Sequence, residues 1–477
     1  MENVMEVVLY VLPLIKYASG QLLGPERLIQ ESKGKARLED VNIHMLCSPK
    51  EDILPNDEMP LGDHSKPNEA FTKIEKQMEE IIVRCTNTSY QLVKQCTLDF
   101  TEIDAVIDLL ESSPLASKLE EFLPNTEPKW IGISILFAGQ VIMSMLFARL
   151  VKKRFPNIKI IVGGAHITAL QKKIEKDIRY NQYFDGFVFG YAEITFPELC
   201  EMSNPLEHTL VFPAGYVDTK RARGHLDILP PLLDNLDLYG IPRLSIAIQT
   251  TRGCAYGKCA FCTYPVVEGA YTTIELAMLD GVVETAKQQG AYITFKDSFL
   301  KPDRIKDIGK IINGRVEWAI CTRLNTNFTK EDWRVLEDQG LRTVEIGVET
   351  ISEEIQKKIR KKQNLTILYN LFENLKNTKI HLVLNVMAGF PEETLQNFDD
   401  LNNEIKRWAN MYQDVNFSVE KNFFQAESGS DMVTKSPKYN ITIYKEYPWT
   451  NICEWNQPQW VTEKKDWEGH VLKGDIS

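Results

Sequence analysis

Three cysteines at Cys-x4-Cys-x2-Cys spacing, Cys254, Cys259 and Cys262, limit what this chain can be more than any other feature. They follow an apolar, alternating run over 243–250 that reads as a strand. They therefore occupy the loop leaving a strand's carboxyl end, where open α/β sheets and βα barrels place their chemistry. Three soft ligands with no fourth nearby suit an iron-sulfur cubane that keeps one iron open for a further ligand. A structural zinc ion asks for four ligands, usually as two paired knuckles, and no second pair or Cys/His couple follows downstream. Gly257 falls in the longer gap and tolerates positive φ, so the loop can close on one centre.

The stretch from Thr250-Thr251-Arg252-Gly253-Cys254 to Phe261-Cys262 resembles the cluster loop of the radical S-adenosylmethionine (SAM) enzymes. Their usual spacing is Cys-x3-Cys-x2-Cys with an aromatic before the last cysteine. Phe261 takes the aromatic place, and Arg252-Gly253 is the form common in members that carry a cobalamin-binding domain. One extra residue between Cys254 and Cys259 departs from the pattern. The resemblance implies a 4Fe-4S cluster on the three thiolates, SAM on the open iron and a partial βα barrel.

A chain of 477 residues is expected to hold two or three domains, and its net charge of -11 argues against nucleic acid as the main partner. Nine cysteines without regular pairing do not form a disulfide framework, and an oxygen-sensitive cluster implies a reducing interior. The start of the chain lacks the positive region of a signal peptide, and no apolar run reaches the length of a membrane span. The expected location is cytoplasmic.

Taken in order, the apolar runs 5–14 and 41–47 read as strands with a helix between 25 and 33, and 48–69, rich in Pro and Asp, reads as an excursion. The spacing is helical over 70–96 and 101–123, with Pro114 breaking the second segment. From 130 onward strands and helices alternate, as in a parallel doubly wound sheet. The expected fold is α/β: a Rossmann-like domain of cobalamin-binding type over 1–215 with a helical insertion at about 68–124, a linker over 216–242, a partial barrel over 243–430 and an aromatic-rich extension over 431–477.

The strand ends of the first domain carry Gly139-Gln140, Gly163-Gly164-Ala165-His166 and Gly190-Tyr191-Ala192-Glu193. Glycines there let a large flat ligand approach the backbone. This arrangement is similar to the cobalamin-binding domain that precedes the barrel in one branch of radical SAM enzymes. The resemblance makes Gly139, Gln140, Gly163, Gly164, His166, Gly190 and Tyr191 the candidate cobalamin residues, the alternative being an empty or substrate-binding domain. Asp-x-His-x-x-Gly, the usual source of a histidine ligand to cobalt, is absent from the sequence, as it is from many members of that branch. His166 therefore has two readings, a loop-end hydrogen-bonding residue or a cobalt ligand.

Six barrel strands are expected, the cluster strand and the runs 291–295, 316–321, 343–347, 379–388 and 415–420. Linker residues Leu229-Pro230-Pro231 and Leu238-Tyr239 resemble the lead into the barrel. Polar residues at the carboxyl ends are the candidates for SAM or substrate: Asp297, Arg323, Glu345 and Glu349. Gly389-Phe390-Pro391-Glu392-Glu393-Thr394 matches the family's Gly-Phe-Pro-Gly-Glu-Thr segment except at Glu392, which adds Gly389, and Phe261 joins from the cluster loop. Cys321 reads either as a buried small hydrophobe or as a thiol that returns a hydrogen atom to a substrate radical. Trp449, Trp455, Trp460 and Trp467 suit plain packing or a substrate cradle.

The resemblance implies reductive cleavage of SAM to a 5'-deoxyadenosyl radical that takes hydrogen from an unactivated carbon. With cobalamin, the leading reaction is C-methylation of a peptide or small metabolite. Without it, the alternatives are peptide epimerisation, cyclisation or cross-linking. An external electron donor such as flavodoxin or ferredoxin is implied, and no membrane partner is expected. A non-enzymatic zinc protein is the remote alternative.

Overall fold

Alternation of β-branched strands with amphipathic helices produces two mainly parallel sheets, each with its own apolar core. The computed structural model describes residues 6–13, 23–46, 69–206, 216–218, 244–324 and 327–476. In the first sheet Val7–Val11, Ala36–Asp40, Ile131–Ser134, Ile160–Gly163, Gly186–Phe189 and Tyr216–Asp218 all run parallel, in the order 2-1-3-4-5-6. The order reverses between the first and third strands, so a crevice for a ligand opens at their carboxyl ends.

Two expectations are corrected here. The run 41–47 is not a strand: the second strand is Ala36–Asp40, and Val41–Leu46 is a helix. Asp40 overrides the apolar pattern, because its Oδ1 accepts from Ile43 N at 3.0 Å and so satisfies a first-turn donor. Burial raises this carboxyl to about 6. The linker expected from 216 in turn begins with the sixth strand, Tyr216–Asp218, paired to Gly186–Phe189. The rest of that linker, the excursion over 48–68 and Cys47 lie outside the described residues.

The insertion is helical, with Glu69–Thr86, Tyr90–Gln95, Phe100–Leu110 and Pro114–Glu120. Asp99 and Glu102 form a capping box on the third helix, and Pro114 opens the fourth at a position where its missing N–H costs nothing.

In the second sheet Ser245–Ile248, Tyr292–Phe295, Trp318–Thr322, Leu341–Glu349, His381–Ala388 and Phe417–Phe423 lie parallel in chain order. These are the six expected strands. A seventh, Gly469–Leu472, adds antiparallel to the last. It carries only two apolar residues, too few to give a period in sequence.

The C-terminal tryptophans are used for packing. Trp449 is fully buried in the core of the first sheet, with ring centroids 4.7 Å from Tyr180 and 5.8 Å from Phe184. Lys173 Nζ donates to the carbonyls of Tyr447 and Thr450 at 2.8 and 3.0 Å, and Tyr180 Oη donates to that of Pro448 at 2.6 Å. Trp460 and Trp467 pack on Phe398 and Phe423, and Trp455 on Phe424. The extension thus ties the second sheet's end to the first domain.

Candidate active site between the two sheets

The cluster strand runs straight into a braced turn. Asp297, at the end of the neighbouring strand, accepts on Oδ1 from Thr250 N at 2.9 Å, from Thr251 Oγ1 at 2.6 Å and from Thr251 N. Its Oδ2 meets no partner among the described residues, and burial raises the carboxyl above its ordinary range. One oxygen of this candidate is therefore engaged in holding the cluster strand. Arg304 Nη2 adds a bond to Thr250 O at 2.9 Å. At Gly253, φ is +65° and a Cβ would lie 2.7 Å from Gly269 O, so only glycine fits before Cys254.

Beyond it, Gly257 N donates to Cys254 Sγ at 3.4 Å, with φ of +55° at Gly257. Ala260 anchors the loop twice, its N–H to Ile359 O at 2.8 Å and its carbonyl to Met432 N at 2.9 Å. Phe261 packs edge-on to Phe390, with centroids 6.0 Å apart.

Cys254, Cys259 and Cys262 are free and partly exposed. Burial raises the thiols of Cys259 and Cys262, the latter to about 12, while Lys361 and Arg323 act to lower Cys259. Among the described residues no group of three or more His, Cys, Asp or Glu is placed to hold a single metal ion. A cubane binds each thiolate through a different iron, so its ligands surround a space rather than converge on a point. Three thiols on one anchored loop, with two cations beside them, fit such a group by donor chemistry.

The remaining strand ends close around this loop. Arg323 lies 3.5 Å over the Tyr256 ring and donates to Lys361 O, so it braces the cluster loop. Glu349 is buried against Lys361 Nζ at 2.6 Å, and the pair covers Gly347. Its φ of +65° is costly for a side-chain-bearing residue, the kind of strain that collects at functional positions. Glu345 accepts from Cys321 Sγ at 3.1 Å and from Asn385 Nδ2 at 2.6 Å, and burial together with its charge raises the Cys321 thiol. Asn385 was not singled out in sequence, although a polar residue inside the apolar run 381–388 was the available signal.

In the Gly389 segment, φ is +79° at Gly389 and +64° at Glu392. The residue that departs from the family pattern thus keeps a glycine-like backbone, with its carboxylate bonded to Lys358 and Asn440. Glu393 is buried, accepts from Phe390 N at 3.0 Å, and is raised by burial to about 7. Its folded pKa exceeds the unfolded value, so its contribution to stability is full at acid pH and is lost as pH rises toward 7, about 3 kcal/mol in all. Glu393→Gln is expected to remove that decline, which unfolding curves of both proteins between pH 5 and 8 would show as a widening gap in the variant's favour.

Where the carboxyl ends of the two sheets meet, a cavity partly open to solvent is lined by Gly163, Gly164, Gly190 and Tyr191 from the first sheet. Gln249, Arg252, Val267 and Glu268 line it from the cluster side, and Leu9, Val162 and Val188 supply apolar wall. Gly164 has a second reason to be glycine, since its Cβ would stand 2.5 Å from Ile135 O. Gly139, Gln140 and His166 are not part of this lining. The Gln140 amide instead bridges Leu136 N at 2.8 Å and Leu12 O at 2.7 Å. His166 Nε2 lies 2.9 Å from Trp449 O, and burial holds the ring neutral by lowering its pKa to about 4. An apolar floor with glycines at its rim fits a large flat cofactor.

Arg27 emerges only from the structure, which also gives Glu193, the last residue of the 190–193 strand end, a partner. Arg27 Nη2 donates to Gln249 O at 2.8 Å, and Glu193 forms a buried ion pair with Arg252, whose guanidinium lies 3.4 Å over the Tyr191 ring. A loop cysteine trio on a parallel barrel, beside the strand ends of a doubly wound sheet, is the arrangement expected of a radical SAM domain next to a cobalamin-binding-like one.

The comparisons agree. Residues 228–405 match the radical SAM superfamily model and residues 100–200 match the B12 binding domain model. The chain thus carries a radical SAM domain preceded by a cobalamin-binding-like domain. An uncharacterized methyltransferase of Pyrococcus horikoshii is 23% identical over 62% of this chain and 67% of its own. The structure of OxsB, a cobalamin-dependent SAM radical enzyme with aqua-cobalamin and SAM bound, superposes with a TM-score of 0.61 at 15% identity, covering 94% of this chain and 64% of that one. TsrM, a radical SAM methyltransferase from Kitasatospora setae with cobalamin and a [4Fe-4S] cluster bound, gives 0.59 at 14%, covering 90% and 77%. The chain thus spans just under two thirds of the length of OxsB, and at these identities the likeness establishes the fold. No described helix is long and apolar enough to cross a membrane.

Proposed function

We propose that this protein is a cobalamin-dependent radical SAM methyltransferase acting on an sp3 carbon of a peptide or small metabolite. The observation that supports it is the shared cavity: the residues flanking the cysteine loop, Gln249 and Arg252 before it and Val267 and Glu268 after it, also close the space over the strand-end glycines of the first sheet. When bound, the 4Fe-4S cluster, SAM and cobalamin supply a 5'-deoxyadenosyl radical and a methyl carrier, chemistry that no side chain provides.

In this reading Cys254, Cys259 and Cys262 hold the cluster, and Asp297, through Thr250 and Thr251, fixes the direction in which the loop leaves its strand. The barrel mouth, with Glu345 and Asn385 on its inner face, orients substrate and excludes water. An external donor such as flavodoxin or ferredoxin supplies electrons. Anaerobic reconstitution, followed by optical spectra with and without hydroxocobalamin and a search for methylated product, tests the proposal. Cluster and SAM turnover without corrin uptake would reject it.

Cys321 supports a second reading, a radical peptide epimerase, because its thiol is partly exposed and its proton is directed at Glu345. Cys321→Ala is expected to leave methyl transfer within about fivefold of the parent, since only a part-buried hydrogen bond of about 1 kcal/mol is lost. An epimerase that uses this thiol would lose its product altogether.

A further inference from the structure

The cavity contains buried polar groups that meet no partner among the described residues. Arg27 is 1% exposed and bonds Gln249 O through Nη2, while its Nε and Nη1 meet no partner among the described residues. Arg252 Nε and Glu193 Oε2, the outer atoms of a buried ion pair, are likewise unmet. All three residues line the cavity. Unmade bonds on buried charged groups are expensive, so a ligand that completes them gains the full value of those bonds.

The chemistry of that ligand follows from the mixture. The guanidiniums need an acceptor and the carboxylate needs a donor. A carboxylate on the ligand would satisfy Arg27 and meet repulsion from Glu193, and an ammonium would do the reverse. A neutral primary carboxamide offers a carbonyl and two N–H groups on one planar unit, and serves both. We infer that Arg27, Glu193 and Arg252 form a subsite that reads a primary carboxamide on the rim of the cavity's ligand. This rests on the cobalamin reading, because a corrin rim carries such amides.

The test uses the full-length, anaerobically prepared protein and Arg27→Met. Melting temperatures are measured first without corrin, then hydroxocobalamin and the monocarboxylic acids made by hydrolysing single rim amides are titrated in and followed by corrin absorbance. Arg27→Met is expected to weaken hydroxocobalamin binding by about tenfold or more while melting at the same temperature as the parent or above it. At least one monocarboxylic acid should bind the parent protein more weakly by a similar factor. Equal affinity of variant and parent overturns the subsite and leaves the cobalamin reading standing, as does equal binding of every acid. A lower melting temperature overturns it too, since Arg27 would then be a structural tie through Gln249. Failure of the parent to bind hydroxocobalamin overturns both.

Discussion

Cys259→Ala is expected to yield a protein that folds, yet after anaerobic reconstitution holds no stable iron-sulfur cluster and cleaves SAM no faster than the buffer blank. A three-thiolate site has no spare ligand, and the loop from Cys254 to Cys262 contains no histidine, aspartate or glutamate to take its place. The fold should survive because the loop is held from outside the trio, through Ala260 to Ile359 and Met432, and through Tyr256 to Arg323. The thiol is only half-buried, so its removal leaves a small void. Iron and sulfide analysis with the melting curve would decide it. A full complement of iron in the variant would remove Cys259 from the ligand set. Cys85→Ser, on the helical insertion, serves as the control and should change neither quantity.

How much of this was legible in the sequence depended on which force controls each element. Strands with apolar residues on consecutive positions, such as Ile160–Gly163 and His381–Ala388, announced themselves because both faces of a parallel sheet are covered. The Val41–Leu46 helix did not, because one capping aspartate outweighs the propensities that follow it. Site residues divided in the same way. Loop composition carried the cysteine trio and the glycines at 163, 164 and 190. His166 and Gln140 share those loops but turn to the protein's own carbonyls and amides, a direction that backbone geometry sets and composition does not encode. Arg27 was invisible, since an arginine on a short amphipathic helix reads as solvated until the opposite domain covers it.

That covering makes the Glu193–Arg252 pair the most deeply buried ion pair among the described residues, and a costly one to break from one side. Both side chains are nearly inaccessible, at 6% and 4% exposure, and Arg252 is stacked on Tyr191 with the charge of Arg27 also close. Glu193→Ala is expected to destabilise by about 3–5 kcal/mol, because the guanidinium stays buried with nothing to balance it. Replacing both partners, Glu193→Leu with Arg252→Met, should recover most of that loss, since two apolar groups of similar volume leave no stranded charge. Denaturant unfolding of the parent, both single variants and the double variant closes the cycle. A cost below about 1 kcal/mol for Glu193→Ala would mean the pair behaves like a surface contact and that water reaches it. The pair joins the loop at 190–193, which lines the cavity, to the residue two places before Cys254. Its rupture should therefore also loosen the register between the first domain's strand ends and the cluster loop, and the recovered double variant would show whether that register needs the charges or only the packing.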